Sequence, residues 1–132
     1  MSVKRFWLLK TEPGDFAWDD MLRLRVTPWD GVKNPQALSY LRMASVGDLA
    51  FFYHTGKEKV IKGVVKITKT TGTVADGLVD VEVAYPLKRS ISLQEIKSSP
   101  ELCNMVILRQ PRLSVAPVTE EEWLHLIELS NN

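Results

Sequence analysis

Three apolar runs in succession, Leu49–His54, Val60–Thr68 and Leu78–Tyr85, constrain this chain more than any other feature. Each is rich in β-branched or aromatic residues, and turn-forming residues bound them: Gly47-Asp48 precedes the first and Pro86 follows the third. The third run alternates, with Val79, Val81 and Val83 on one face. Strands of this length joined by hairpin-length loops pair with their neighbours, so the pattern predicts a mostly antiparallel sheet or a small barrel. Gly63, inside the second run, marks a bulge or a point where another group comes close. The polar stretch Thr70–Gly77 reads as a loop, and Pro86 as the end of the third strand.

Helix signals flank these strands. Asn34 is a good N-cap, Pro35 suits the first helical position, and Leu38, Leu41 and Arg42 follow at helical spacing up to Met43. Ser92-Leu93-Gln94-Glu95 and Thr119-Glu120-Glu121-Glu122 both read as capping boxes. The second opens a helix whose buried stripe is Trp123, Leu126 and Ile127. Ala17 to Arg23 forms a shorter helix with Trp18, Met21 and Leu22 on one face. Phe6–Lys10 is a strand stopped by Glu12-Pro13-Gly14. Glu101–Met105 reads as a short helical segment with Cys103 a small buried thiol, and Met105–Leu108 as a further strand. With no repeat or linker-like stretch, residues 1–132 make a single α+β domain.

Composition removes several function classes. Hydrophobic residues make up 45% and charged residues 25%, as in an ordinary folded domain. No apolar run approaches the roughly 18 residues of a membrane span, and Met1 leads straight into a strand with no signal-peptide pattern. A lone cysteine fits a reducing compartment, so the expected location is cytoplasmic, or nuclear in a eukaryote, and the expected state is a monomer. The net charge of +1 excludes a strongly basic DNA-coating protein. Yet residues 1–66 carry 11 Lys/Arg against 7 Asp/Glu, while residues 67–132 carry 6 against 9. A mild basic bias therefore sits on the first half, and nucleic-acid binding through few phosphates is weak unless a base is held too.

Catalysis finds little support. Cys103 with His54 or His125 is a formal nucleophile–base pair, but the three lie far apart in the sequence, and two histidines with one cysteine make a poor zinc set. His125 reads as solvated, and Glu120–Glu122 as charge complementing a helix N-terminus. No cofactor and no metal is expected. What remains is a group of rings, amides and charges at element ends: Lys10-Thr11, Trp29-Asp30-Gly31-Val32-Lys33-Asn34, Tyr53-His54 and Arg109-Gln110. Such a group suits gripping a flat polar ring. Trp29, on a turn after Thr27-Pro28, either caps the core or stacks on a ligand, and local sequence leaves both open. Asn34 is explained by its capping role, although a helix N-terminus also offers free N–H groups. Strand alternation sets Tyr53 and His54 on opposite faces, so only one points into a shared cavity unless the strand bends.

Four runs resemble the EVE domain family of the PUA-like superfamily. They are Trp7–Pro13, Trp29–Asn34, Gly47–Thr55 and Arg109–Val118, and they occur in the family's order across nearly the whole chain. The resemblance implies a PUA-like pseudo-barrel of about six strands flanked by short helices, without catalysis. It also implies a pocket for a flipped-out modified base, with methylated or hydroxymethylated cytosine in DNA the favoured class. Carried over by position, Trp29 is a wall of that pocket, with Val32, Asn34, Tyr53 and His54 around it. Lys10 and Thr11 lie at its mouth and Arg109 near the bound strand. Many members carry Arg where this chain has Lys33, and Lys33 lacks the planar fork needed for a bidentate contact. The alternatives are an RNA-binding PUA-like domain, a nucleotide or metabolite enzyme using His54 as acid–base, and a partner-binding scaffold whose aromatics are all core.

Overall fold

The computed structural model describes residues 5–71, 73 and 78–132. Most of the expected Thr70–Gly77 loop lies outside the described residues. In chain order the elements are β1 (Phe6–Thr11), α1 (Trp18–Leu24), β2 (Val26–Pro28), α2 (Pro35–Met43), β3 (Leu49–His54), β4 (Val60–Thr70) and β5 (Val79–Ser92). Then come α3 (Leu93–Ser98), a 3₁₀ turn at Pro100–Leu102, α4 (Val106–Arg109), β6 (Val115–Val118) and α5 (Glu120–Ser130). The six strands form one sheet in the order β2-β5-β4-β3-β1-β6. β1 and β3 pair in parallel, and the other pairings are antiparallel. The sheet therefore ends on β2 and β6 and remains an open pseudo-barrel, with short helices around it.

The helix starts form where local chemistry placed them. Asn34 Oδ1 accepts from the N–H groups of Gln36 and Ala37 at 2.9 and 3.0 Å, satisfying donors that the first turn of α2 leaves free. Ser92 with Glu95, and Thr119 with Glu122, close reciprocal capping boxes on α3 and α5. Each is worth about 1 kcal/mol or so to its helix.

β3 is the hub of the core. Phe51 faces α5 and stacks on Trp123 at 3.9 Å between ring centroids, and Trp123 in turn stacks on Phe6 at 4.7 Å. Phe52 faces the other way, against Trp18, Trp29 and Phe16 at 5.1, 5.6 and 6.1 Å. Gly63 on β4 permits this second cluster, because a side chain there would run into the ring of Trp18. The expected close approach is thus found, with a register shift beside it. At the opposite end of β3, buried Asp48 accepts from Trp7 Nε1 and from the backbone N–H groups of Arg5 and Ser45, at 2.9–3.1 Å. That carboxylate ties β1, the end of α2 and β3 together.

Four local expectations are corrected. Met105–Leu108 is not a strand, because Val106–Arg109 closes a helical turn, α4. Its buried Met105 and Ile107 alternate as a strand would, which is why so short a run misleads. Pro86 does not end the third strand; β5 continues to Ser92, with Pro86 opposite Gly63 where the β4–β5 register is irregular. A residue without an N–H is tolerated at such a point. Cys103 is exposed, because the 3₁₀ turn directs Leu102 inward instead. His125 is partly buried on α5 rather than fully solvated.

Candidate functional site

Parallel pairing of β1 and β3 brings both strands to an end on the same side of the sheet, with Thr11 beside His54. The chain leaving β1 turns at Glu12, whose carbonyl accepts from the N–H groups of Asp15 and Phe16. Thr11 Oγ1 donates to the Phe16 carbonyl at 3.0 Å and braces that turn. From the far edge of the sheet, β2 delivers Thr27, Pro28 and then Trp29, whose N–H donates to the Val79 carbonyl at 2.9 Å. These two segments, with Ser114 from the chain entering β6, enclose a cavity of about 450 Å³. That volume is within the usual range for small-ligand sites.

Four of the eight residues expected at the site line this cavity: Lys10, Thr11, Trp29 and Val32. Trp29 is 6% exposed, with its ring edge-on to both Phe16 and Phe52, so it belongs to the core and presents only a sliver to the cavity. The two roles left open by the sequence are therefore both structurally available at one side chain. Lys10 is anchored at the mouth: Nζ donates to the Pro111 carbonyl at 2.9 Å and stands 5.5 Å from the centre of the Tyr53 ring. Burial lowers the pKa of this ammonium below the ordinary lysine value, and burial raises that of the Tyr53 phenol.

The other four lie elsewhere. Tyr53 is buried beneath Lys10. His54 is 4% exposed, and both ring nitrogens are engaged. Its Nε2 accepts from the Trp18 N–H at 2.9 Å, which leaves Nδ1 as the donor toward Glu58 Oε1 at 3.1 Å. This arrangement holds the start of α1 against β3. Asn34 caps α2 and borders a separate hollow of about 380 Å³ shared with Gln110 and Arg112. Arg109 is exposed at the end of α4 and lines neither hollow.

The cavity also recruits Asp15, Phe16, Asp30, Gly31, Lys33 and Ser114. Asp30, Gly31 and Lys33 sit inside the Trp29–Asn34 run and inherit their place from it. Phe16, two residues past Gly14, carries no motif that singles it out. Ser114 lies in the Arg109–Val118 run but was not singled out there; it arrives because its carbonyl accepts from the Lys10 N–H at 2.9 Å. The loop after Trp29 has a distinctive backbone. Gly31 takes φ +81°, and the N–H groups of Gly31, Val32 and Lys33 have no hydrogen-bond partner among the described residues. These loop residues line the cavity beside Trp29 and Phe16, with two carboxylates and two ammonium groups balanced around the rim.

Comparison with known proteins agrees with this architecture. The EVE domain matches residues 5–129. Thymocyte nuclear protein 1 of Homo sapiens is 32% identical over 97% of this chain and 75% of its own length. Human THYN1 protein, solved in complex with 5-methylcytosine-containing DNA, superposes with a TM-score of 0.89 at 31% identity, covering 98% of this chain and 99% of that one. A hypothetical protein from Leishmania major superposes with a TM-score of 0.88 at 31% identity, over 98% and 96% of the two chains. A match over nearly every residue, joined to the same fold, places this chain in the EVE domain family.

Proposed function

We propose that this protein is a non-catalytic nucleic-acid-binding module that takes a modified base, methylated or hydroxymethylated cytosine in DNA, into the Lys10–Trp29–Lys33 cavity. The observation that carries the reading is the pairing of an aromatic floor, Trp29 with Phe16, with the free N–H groups of Gly31, Val32 and Lys33. A pyrimidine needs that combination: a flat apolar contact for its face and fixed donors for its carbonyl edge. The carboxylates of Asp15 and Asp30 on the same rim supply acceptors for the exocyclic amino group of cytosine. The solved 5-methylcytosine DNA complex of a relative 31% identical to this chain supports the same ligand class.

The energetics set what to expect. Unstacking a base costs a few kcal/mol, and each aromatic stacking contact returns about 1–3 kcal/mol. Because Trp29 is mostly covered, a base gains full contact only as the partly buried Phe16 shifts aside. A snug wall distinguishes one methyl group by about 1–3 kcal/mol, so the preference for a modified base is graded rather than absolute.

The test is a binding titration at fixed low salt, using duplexes with cytosine, 5-methylcytosine or 5-hydroxymethylcytosine and a matched methylated RNA. Wild type is compared with Trp29→Ala and with Asp30→Asn, the latter an exposed loop change that leaves the core intact. The expected result is a tenfold or so preference for one modified duplex, reduced in both variants. Equal affinity for all ligands in wild type refutes the reading, as does an undiminished preference in Asp30→Asn together with a folded Trp29→Ala.

A further inference from the structure

A second concavity opens where the β3–β4 hairpin meets α3. It measures about 490 Å³, and its charged lining comprises Lys57, Glu58, Lys59 and Lys97, with Ser92 and Gln94 among its polar residues. The hairpin reaches it from the cavity's own edge: the Thr55 N–H donates to the Thr11 carbonyl at 2.9 Å, and Thr11 lines the base cavity. Lys57 follows two residues later, a span of at most about 7 Å of chain. One strand of DNA rises about 3.4 Å per nucleotide, so Lys57 lies within a few nucleotides' reach of the Thr11 edge of the cavity.

Three lysines against the single carboxylate of Glu58 leave the lining with a net positive charge. Glu58 is turned toward His54 Nδ1 at 3.1 Å, and Glu95 on α3 is occupied by Arg89 at 2.8 Å and by the Ser92 N–H at 3.2 Å. Among the described residues, Lys57, Lys59 and Lys97 have no carboxylate partner. Lys59 takes φ +51°, a left-handed conformation that favours glycine or asparagine, while its carbonyl is pinned by the Leu93 N–H at 2.8 Å. The hairpin thus holds a long cationic side chain where a smaller residue fits the backbone better. The Glu12 side chain packs against Gly56 in the same hairpin and lines neither concavity.

We infer that this groove is a phosphodiester-binding track, in which Lys57, Lys59 and Lys97 grip the backbone of the strand flanking the base held at Trp29. The inference rests on the nucleic-acid reading above and deepens it: the cavity supplies preference and the groove supplies affinity. The two parts respond to different variables. Three phosphate contacts on duplex DNA contribute about 2.7 to the slope of log affinity against log salt, a factor of about 40 between 50 and 200 mM.

The experiment measures affinity for 5-methylcytosine and cytosine 12-mer duplexes across that salt range. It uses wild type, the Lys57→Gln/Lys59→Gln/Lys97→Gln triple variant, and Asp30→Asn. The expected result is a salt slope shallower by two to three in the triple variant, with the ratio of affinities for the two duplexes unchanged. Asp30→Asn is expected to change the ratio and keep the slope. An unchanged slope in a folded triple variant overturns the groove. So does displacement of DNA by inorganic phosphate beyond that by chloride at matched ionic strength, which makes the groove a free-anion site. Salt-sensitive binding that ignores methylation, with the slope still dependent on the lysines, refutes base reading alone. Failure of wild type to bind either duplex at low salt overturns both.

Discussion

Adding a single methyl group at Gly63 tests the packing that underlies the candidate site. In Gly63→Ala the new Cβ lands 2.8 Å from Trp18 Cε2 and closer still to Cζ2 and Cη2, whereas carbon pairs rest about 3.5–4.0 Å apart. Trp18 has no easy retreat. It is 5% exposed, edge-on to Phe52 at 5.1 Å, and its backbone N–H is tied to His54 at 2.9 Å. Over-filling a packed core costs about 1–3 kcal/mol. Lost freedom in the unfolded chain returns about 0.4–1 kcal/mol. The net expectation is a destabilisation of about 1–2 kcal/mol, and a melting point lower by roughly 3–8 °C. Urea unfolding reads it as a lower midpoint with an unchanged slope. Pairing the change with Trp18→Leu then removes the obstruction, so the double variant should be more stable than the two single losses summed, by about 1 kcal/mol. A Gly63→Ala protein within about 0.5 kcal/mol of wild type, or strictly additive losses, refutes the reasoning.

Other perturbations follow from single contacts. His54→Ala strands the Trp18 N–H and opens space beside Phe52, and should cost about 2–4 kcal/mol by denaturant unfolding. Asp48→Ala removes the acceptor of Trp7 Nε1 and two backbone donors and should cost a similar amount, while Asp48→Asn, which keeps one oxygen, recovers part of it. Burial raises the pKa of Tyr53 and Tyr85 above 10.0, so the folded chain holds these protons longer than the unfolded one. Their contribution to stability is complete below pH 10 and is lost as pH climbs through the raised values; Tyr53→Phe should flatten that alkaline decline in a pH series of unfolding curves. Cys103, exposed beyond the 3₁₀ turn, should react with a thiol reagent in the folded protein at a rate close to that in denaturant.

Legibility tracked the range of the interaction that fixes each element. Asn34-Pro35, Ser92…Glu95 and Thr119…Glu122 were readable because a cap is decided within four residues. The strands around Phe51 and Val64 were readable because they are long and apolar. Met105–Leu108 was misread because four residues carry too little period to distinguish a buried turn from a strand. The extension of β5 beyond Pro86 depended on Gly63 across the ladder, a partner more than twenty residues away. The same limit applied to the site. Lys10, Thr11, Trp29 and Val32 sit at ends of elements, where sequence position alone suggests a rim. His54 looked equivalent until the fold turned its ring toward Trp18 and Glu58, and Ser114 entered the cavity only through a strand pairing across the whole domain.

The place of β1 has a consequence for how the molecule comes together. It is earliest of the six strands in the sequence, yet it lies between β3 and β6, with Phe6 beside both Leu49 and Val118. One neighbour, β3, lies in the first half of the chain, and the other, β6, emerges much later from a ribosome. β1 can pair with β3 early, but its other edge, at Phe6–Leu9, stays unmatched until nearly all of the chain has been synthesised. Closing such distant pairs is slow compared with forming the β3–β4 hairpin, whose partners are local. The order of assembly should accordingly run from the hairpin outward, with the cavity wall at Lys10 and Ser114 among the last parts to form. Mutations that weaken β1 docking should thus remove the pocket mouth together with the β6 pairing.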